Sequence, residues 1–175
     1  MAPPQLVVRR FETGEAEPLR RLRLLALRDT PEAFGTGVEQ DAARPLESWQ
    51  QWIAANPPFG AFIAGEPRGL VGFIRQTAAN LRHRGSLTAM YVAPELRGSG
   101  VAASLVEAVL AHARTVVEQV HLSVNADNDR ARRFYLRMGF AEYGREPRGL
   151  RYGGIDRDVV LMVHMLRPIV TVKTG

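Results

Sequence analysis

Apolar residues recur along this chain at two spacings, and the switches between them mark out its elements. Residues 6–11 are a run of β-forming side chains closed by Thr13-Gly14, which predicts a first strand. From Glu15 the spacing turns helical: Leu19, Leu22, Leu25 and Ala26 fall on one stripe, with Arg20, Arg21 and Arg23 between them. Pro31 biases Thr30 out of the α region, so this helix should stop there, and 31–37 reads as loop. A second helix is expected over 46–55, with Trp49, Trp52 and Ile53 on one face and Asn56-Pro57-Pro58 as its stop.

The β pattern then returns. Strands are expected at 59–64 and 70–76, joined by a hairpin-type connection at 65–69, and again at 87–92 after a polar turn at 81–85. The strongest helical pattern covers 101–116, with Val101, Leu105, Ala108, Val109 and Val116 as its apolar stripe. A strand at 120–124 and a helix at 129–138 follow; the helix turns Ala131, Phe134, Tyr135 and Met138 inward. Strands at 140–143 and 159–166 complete the series, and 144–158, rich in Gly and Pro, reads as a loop. The order β-α-α-β-β-β-α-β-α-β-β predicts an α/β chain with a mixed sheet flanked by helices, neither a barrel nor a strict βα alternation.

Composition narrows the class. The 175 residues suit one domain, 46% hydrophobic and 23% charged, within ordinary globular ranges. No apolar run reaches the roughly 20 residues of a membrane span, because Ser104 and Glu107 interrupt the longest. Met1-Ala2-Pro3-Pro4 lacks a signal-peptide apolar core, so the expected compartment is the cytoplasm. The chain has no cysteine, which excludes thiol nucleophiles, disulfides and Cys-based zinc sites. His83, His112, His121 and His164 show no ligand spacing, so no metal is expected. The net charge of +5 comes from 22 Arg and Lys173, and these arginines are scattered, which argues against a nucleic-acid partner.

Chemistry concentrates between the strand at 87–92 and the helix at 101–116. The turn Arg97-Gly98-Ser99-Gly100 lets the backbone approach a ligand, and the first helical turn that follows has N–H groups without intrahelical partners. With the helix dipole and Arg97, it makes a phosphate site; the alternative is an ordinary turn that needs glycine for its φ angles. It is not a Walker A loop, having no Gly-Lys, nor a dinucleotide fingerprint, because Ala103 stands where the last glycine belongs.

Arg97-x-x-Gly100-x-Ala102 resembles the first signature of the GNAT family of N-acetyltransferases. Asn128-x-x-Ala131-x-x-Phe134-Tyr135-x-x-x-Gly139-Phe140 resembles the second, and the element order is similar over about 5–167. The resemblance implies one GNAT domain: a mostly antiparallel twisted sheet of about seven strands with about four helices. It implies acetyl-CoA bound between the strands ending at Val92 and Val124. Met90, Tyr91 and Val92 would pair with the pantetheine arm, Arg97, Gly98, Ser99, Gly100, Val101, Ala102 and Ala103 would hold the pyrophosphate, and Asn128 would bond the arm from the other side. The implied reaction is direct acetyl transfer to a primary amine of a small molecule or a peptide.

In that scheme Tyr135 protonates the departing thiolate, although on a bare helix it is equally a core aromatic beside Phe134. Some relatives carry a glutamate base on the fifth strand; Ser123 stands there in this chain and cannot replace it. Glu32 and Glu142 remain base candidates, and Glu32 with Phe34 belongs to a loop expected to wall the acceptor site. Arg145, Arg148 and Arg151 either bind an acidic acceptor or form a solvated hairpin. Rival readings are an acyl-CoA sensor without turnover and a basic nucleic-acid-binding domain; a homodimer stays open.

Overall fold

The structure is a computed structural model and describes residues 5–167, so Met1–Pro4 and Lys173 lie outside the described residues. Its frame is a seven-stranded sheet in the order β1-β2-β3-β4-β5-β7-β6. The strands are β1 Leu6–Arg10, β2 Phe59–Ile63, β3 Glu66–Arg75, β4 Arg84–Val92, β5 Gln119–Asn125, β6 Ala141–Tyr152 and β7 Ile155–Met165. All neighbours are antiparallel except β4 and β5. The helices are α1 Ala16–Asp29, α2 Val38–Ala42, α3 Leu46–Ala55, α4 Val101–Val116 and α5 Asp129–Arg137.

Both faces of the sheet are covered. One core gathers Leu105, Val106 and Val109 of α4 with Val71, Val120 and Met162 from the strands, all fully buried. Each such side chain contributes about 1.5–3 kcal/mol relative to exposure. The other core sets Leu19, Ala26 and Leu27 of α1 against Trp49 of α3, Phe62 and Leu70. The stripe of α1 therefore runs Leu19, Leu22, Arg23, Ala26, Leu27, at the i, i+3, i+4 spacing of a buried helix face. Leu25, expected inside, stands 46% exposed. In α4, Val106, Leu110 and Ala113 take core places, while Ala108 and Val116 are only half-buried.

Three local expectations are corrected. The β2–β3 connection is a two-residue turn at Ala64 and Gly65, both at positive φ (51° and 82°), so β3 begins at Glu66 and not at 70. A short α2 forms within a stretch without an apolar stripe, where Asp41 supplies a buried ion-pair partner. The segment 144–158 is no loop: β6 and β7 form a long hairpin turning at Gly153-Gly154 (φ 59° and 77°). One register shift falls at Tyr143 and a second takes in Pro147, Arg148 and Gly149, and Arg145 pairs with Asp158 at 2.8 Å while Arg148 and Arg151 both pair with Asp156. Those three arginines are hairpin charges, as one of the two sequence alternatives held.

Candidate functional site

β4 and β5 pair only from Arg84 to Ser86 against Gln119 to His121, and beyond that they diverge. The cause lies in β4. Between Thr88 and Tyr91 it spans three steps against two steps of β3, from Gly72 to Leu70, and the extra residue is a bulge with Ala89 at φ 53°. Bulges deepen twist and bend a strand, so the edge of 87–92 on the β5 side has no strand partner. The resulting cleft has a volume of about 670 Å³, with Met90, Tyr91 and Val92 on one wall and Leu122, Ser123, Val124 and Asn125 on the other.

α4 begins at the end of this cleft. Gly98 and Gly100 adopt φ of 85° and 91°, which only glycine takes without strain, and space lies open where their side chains would stand. No side chain caps the helix, so the N–H groups of Val101, Ala102 and Ala103 have no hydrogen-bond partner among the described residues. Gly98, Gly100, Ala102 and Ala103 line the cleft, whereas the Val101 side chain turns into the core. Ser99 does not line it; its hydroxyl donates to the Leu96 carbonyl at 2.6 Å. Arg97 lines the cleft, but its guanidinium pairs with Asp29 and donates through Nε to the Val92 carbonyl at 3.1 Å. The charge expected at the mouth is thus partly neutralised, and Arg130 and Arg137 of α5, which the sequence reading passed over, stand on the lining instead.

On the far wall, Asn128 Oδ1 accepts from the Ala131 N–H at 3.0 Å and caps α5, leaving its amide nitrogen to donate elsewhere. Tyr135 lines the cleft while only 6% exposed, its ring stacked edge-on near Phe134 and Phe140. Burial pushes its hydroxyl well above the ordinary tyrosine range, so it stays protonated. Tyr135 is thus both packed and cleft-facing.

A second cavity, about 370 Å³, adjoins the first and shares Phe34, Thr88, Ala89 and Ser123 with it. The expected Phe34 is buried on its wall, and Glu32 stands exposed on the cleft side as its only carboxylate among the described residues. Glu142 is removed from the site, because it lines neither cavity and pairs with Arg132 at 3.0 Å. Arg23, Thr36, Asp41 and Arg44, which sequence reasoning missed, complete the second cavity. A signal existed for Arg23, four residues after Leu19 and four before Leu27, at the centre of the apolar face.

The family model of the GNAT acetyltransferases matches residues 20–140, from α1 through the cleft to the end of α5. The chain belongs to the GNAT acetyltransferase family. Curated relatives include the mycothiol acetyltransferases of Thermobispora bispora, 32% identical over 81% of this chain and 48% of theirs, and of Gordonia bronchialis, 33% identical over 80% and 47%. The chain spans about half the length of these relatives. Among solved structures, a GNAT acetyltransferase from Streptococcus pneumoniae superposes with TM-score 0.79 at 22% identity, over 92% of this chain and 99% of that one. A Salmonella typhimurium protein solved with acetyl-CoA as its cofactor gives 0.82 at 16% identity, over 98% and 99%. These likenesses agree on the GNAT fold for the seven-stranded sheet and its flanking helices. Among the described residues of this GNAT chain, no group of histidines and carboxylates is arranged to hold a metal, and no helix is long and apolar enough to cross a membrane.

Proposed function

We propose that this chain transfers the acetyl group of acetyl-CoA directly to a primary amine. The observation that carries the reading is the uncapped N-terminus of α4 beside the unpaired edge of β4. The first supplies N–H donors and a positive dipole end for a pyrophosphate; the second supplies amide partners for an extended arm. Arg130 and Arg137 add positive charge, and the Asn128 amide nitrogen adds a donor across the cleft. The relative with acetyl-CoA bound supports the choice of donor, and the curated relatives named as acetyltransferases support the choice of reaction.

In the reaction the amine nitrogen bonds to the thioester carbon, the carbon–sulfur bond breaks, the amine loses a proton and the sulfur gains one. In this reading a backbone N–H at the bulge around Met90, which lines the cleft, donates to the oxyanion. Tyr135 donates a hydrogen bond to the leaving sulfur. Full proton transfer from a buried tyrosine to a thiolate of ordinary basicity runs uphill, but the same burial raises the thiol, which narrows the gap. Glu32 is the carboxylate available to take the amine proton, directly or through water. Cytoplasmic residence belongs to the same proposal and rests on the sequence pattern.

Calorimetry with acetyl-CoA, followed by thiol release on a panel of amines, tests the reading; a chain without cysteine gives no background. Micromolar-range binding and amine-dependent release are expected, on the scale of ordinary enzyme–substrate affinities of roughly 1 μM–1 mM. Gly100→Glu should abolish binding, because it sets a carboxylate and a strained side chain at the anion site. Binding without release on any amine would identify a sensor module, and unchanged binding by folded Gly100→Glu would remove the loop from the site.

A further inference from the structure

The second cavity holds an imbalance of charge that the fold does not resolve. Two guanidiniums line it, Arg23 and Arg44, against one carboxylate, Asp41. Asp41 is only 3% exposed and serves both: Arg23 Nε donates to its Oδ2 at 2.9 Å, and Arg44 Nη1 lies 3.6 Å from its Oδ1. Arg23 Nη2 falls back on a neutral partner, donating to Thr36 Oγ1 at 2.9 Å. Its Nη1 has no hydrogen-bond partner among the described residues, although Arg23 is nine-tenths buried. Buried polar groups are satisfied almost without exception, so an orphaned donor on a buried cation marks a place for a missing acceptor.

The surroundings fix what kind of acceptor fits. The Arg23 guanidinium lies over the Phe34 ring at 4.5 Å and the Arg44 guanidinium over Trp49 at 4.4 Å, so both are held in orientation by aromatic faces. Arg44 keeps about a third of its side chain exposed (36%), within reach of an entering molecule. A planar fork of donors matches a carboxylate. The cavity, at about 370 Å³, is near the lower end of small-molecule sites and opens at Thr88, Ala89 and Ser123 into the cleft.

We infer that the acceptor of this enzyme is a small amine that carries a carboxylate, bound by Arg44 and Arg23 with its amino group directed to the cleft. This rests on the transferase reading and adds a substrate class to it. The Arg–Asp–Arg cluster then has two duties: Asp41 pins the arginines in place, and their surplus charge selects the acceptor. A purely structural cluster would stabilise α2 against α1 and show no preference among acceptors.

The test uses the full chain at saturating acetyl-CoA, with thiol release as readout. Leucine, leucinamide and isoamylamine form one matched set, and methionine, its carboxamide and its decarboxylated amine form another. The carboxylate member of each set should exceed its carboxylate-free partners in kcat/KM by about 10- to 100-fold, the worth of one charge-assisted hydrogen bond. Arg44→Gln should bring that ratio close to one, mainly through KM, and Arg23→Gln should do the same where it folds. Amines without a carboxylate used as well as the amino acids, or a ratio that survives Arg44→Gln, would overturn the inference. So would acetyl-CoA binding with no turnover of any carboxylate-bearing amine. Absence of acetyl-CoA binding in calorimetry would instead overturn the transferase reading beneath it.

Discussion

Tyr135 sits where two requirements meet on one side chain. Its ring packs against Phe134 and Phe140, with centroids 5.1 and 5.6 Å away, and its hydroxyl makes no hydrogen bond to another described residue. Replacing it by phenylalanine keeps the ring contacts and removes a group that no protein partner misses. Tyr135→Phe should therefore leave the melting temperature and acetyl-CoA affinity nearly unchanged while kcat falls by about 10²–10⁴, the range for losing an acid catalyst. Steady-state thiol release beside a thermal melt checks it. A thioester with a better leaving group should narrow the difference, since it needs less help from a donor. Near-normal kcat with a large loss of stability would reduce Tyr135 to a packing residue.

At the level of elements, the bulge in β4 decides whether a cleft exists. Ala89 at φ 53° holds an L-residue in the left-handed region, at a cost of roughly 1–2 kcal/mol. Glycine relieves that strain but brings its own entropic penalty of roughly 0.5–1 kcal/mol in a strand. Ala89→Gly is accordingly expected to hold or slightly raise the melting temperature, where glycine in a regular strand lowers it. Ala89→Val should destabilise and widen KM for acetyl-CoA, because a β-branched residue resists this φ and straightens the strand toward β5. Equal melting temperatures for the two variants would mean the bulge is not under backbone strain. The close partner of the bulge is Gly72, where a Cβ would stand 2.6 Å from Thr88 Oγ1, so β3 has to be bare opposite the distortion.

The whole molecule has one sheet between two cores, and β3 serves both by alternation. Val71 and Phe73 face the α4 side, and Leu70 faces the α1 and α3 side. The two tryptophans, Trp49 and Trp52, belong to the α3 side alone. Leu105→Ala, a fully buried change on the opposite face, should cost about 2–5 kcal/mol through lost contacts and a cavity. If the sheet couples the cores into one cooperative unit, tryptophan fluorescence and far-ultraviolet circular dichroism should shift by the same amount in urea. A fluorescence midpoint unmoved by Leu105→Ala would show two cores that unfold separately.

Much of this protein was legible along the chain. Apart from the short α2, the order of elements follows from local periodicity, and the bounds of α3 and α4 agree with the pattern because helical stripes and proline stops are local signals. The glycine turn before α4 was equally legible, since glycine at 98 and 100 answers a backbone need that exists before any tertiary contact. The distal part of the β6–β7 hairpin, 144–158, was not, because its residues are exposed or half-buried and carry charge in place of apolar alternation. Only the pairing of Arg145, Arg148 and Arg151 with Asp156 and Asp158 across the ladder makes sense of it. The bulge at Ala89 left no mark either, as alanine gives no hint of a positive φ that neighbouring strands impose. Arg23, Asp41 and Arg44 come from two helices and the turn between α2 and α3, and their surplus charge exists only once packing removes water from around them. Local backbone preference is written residue by residue; burial, and with it the chemistry of a charge, is decided by what the folded chain brings alongside.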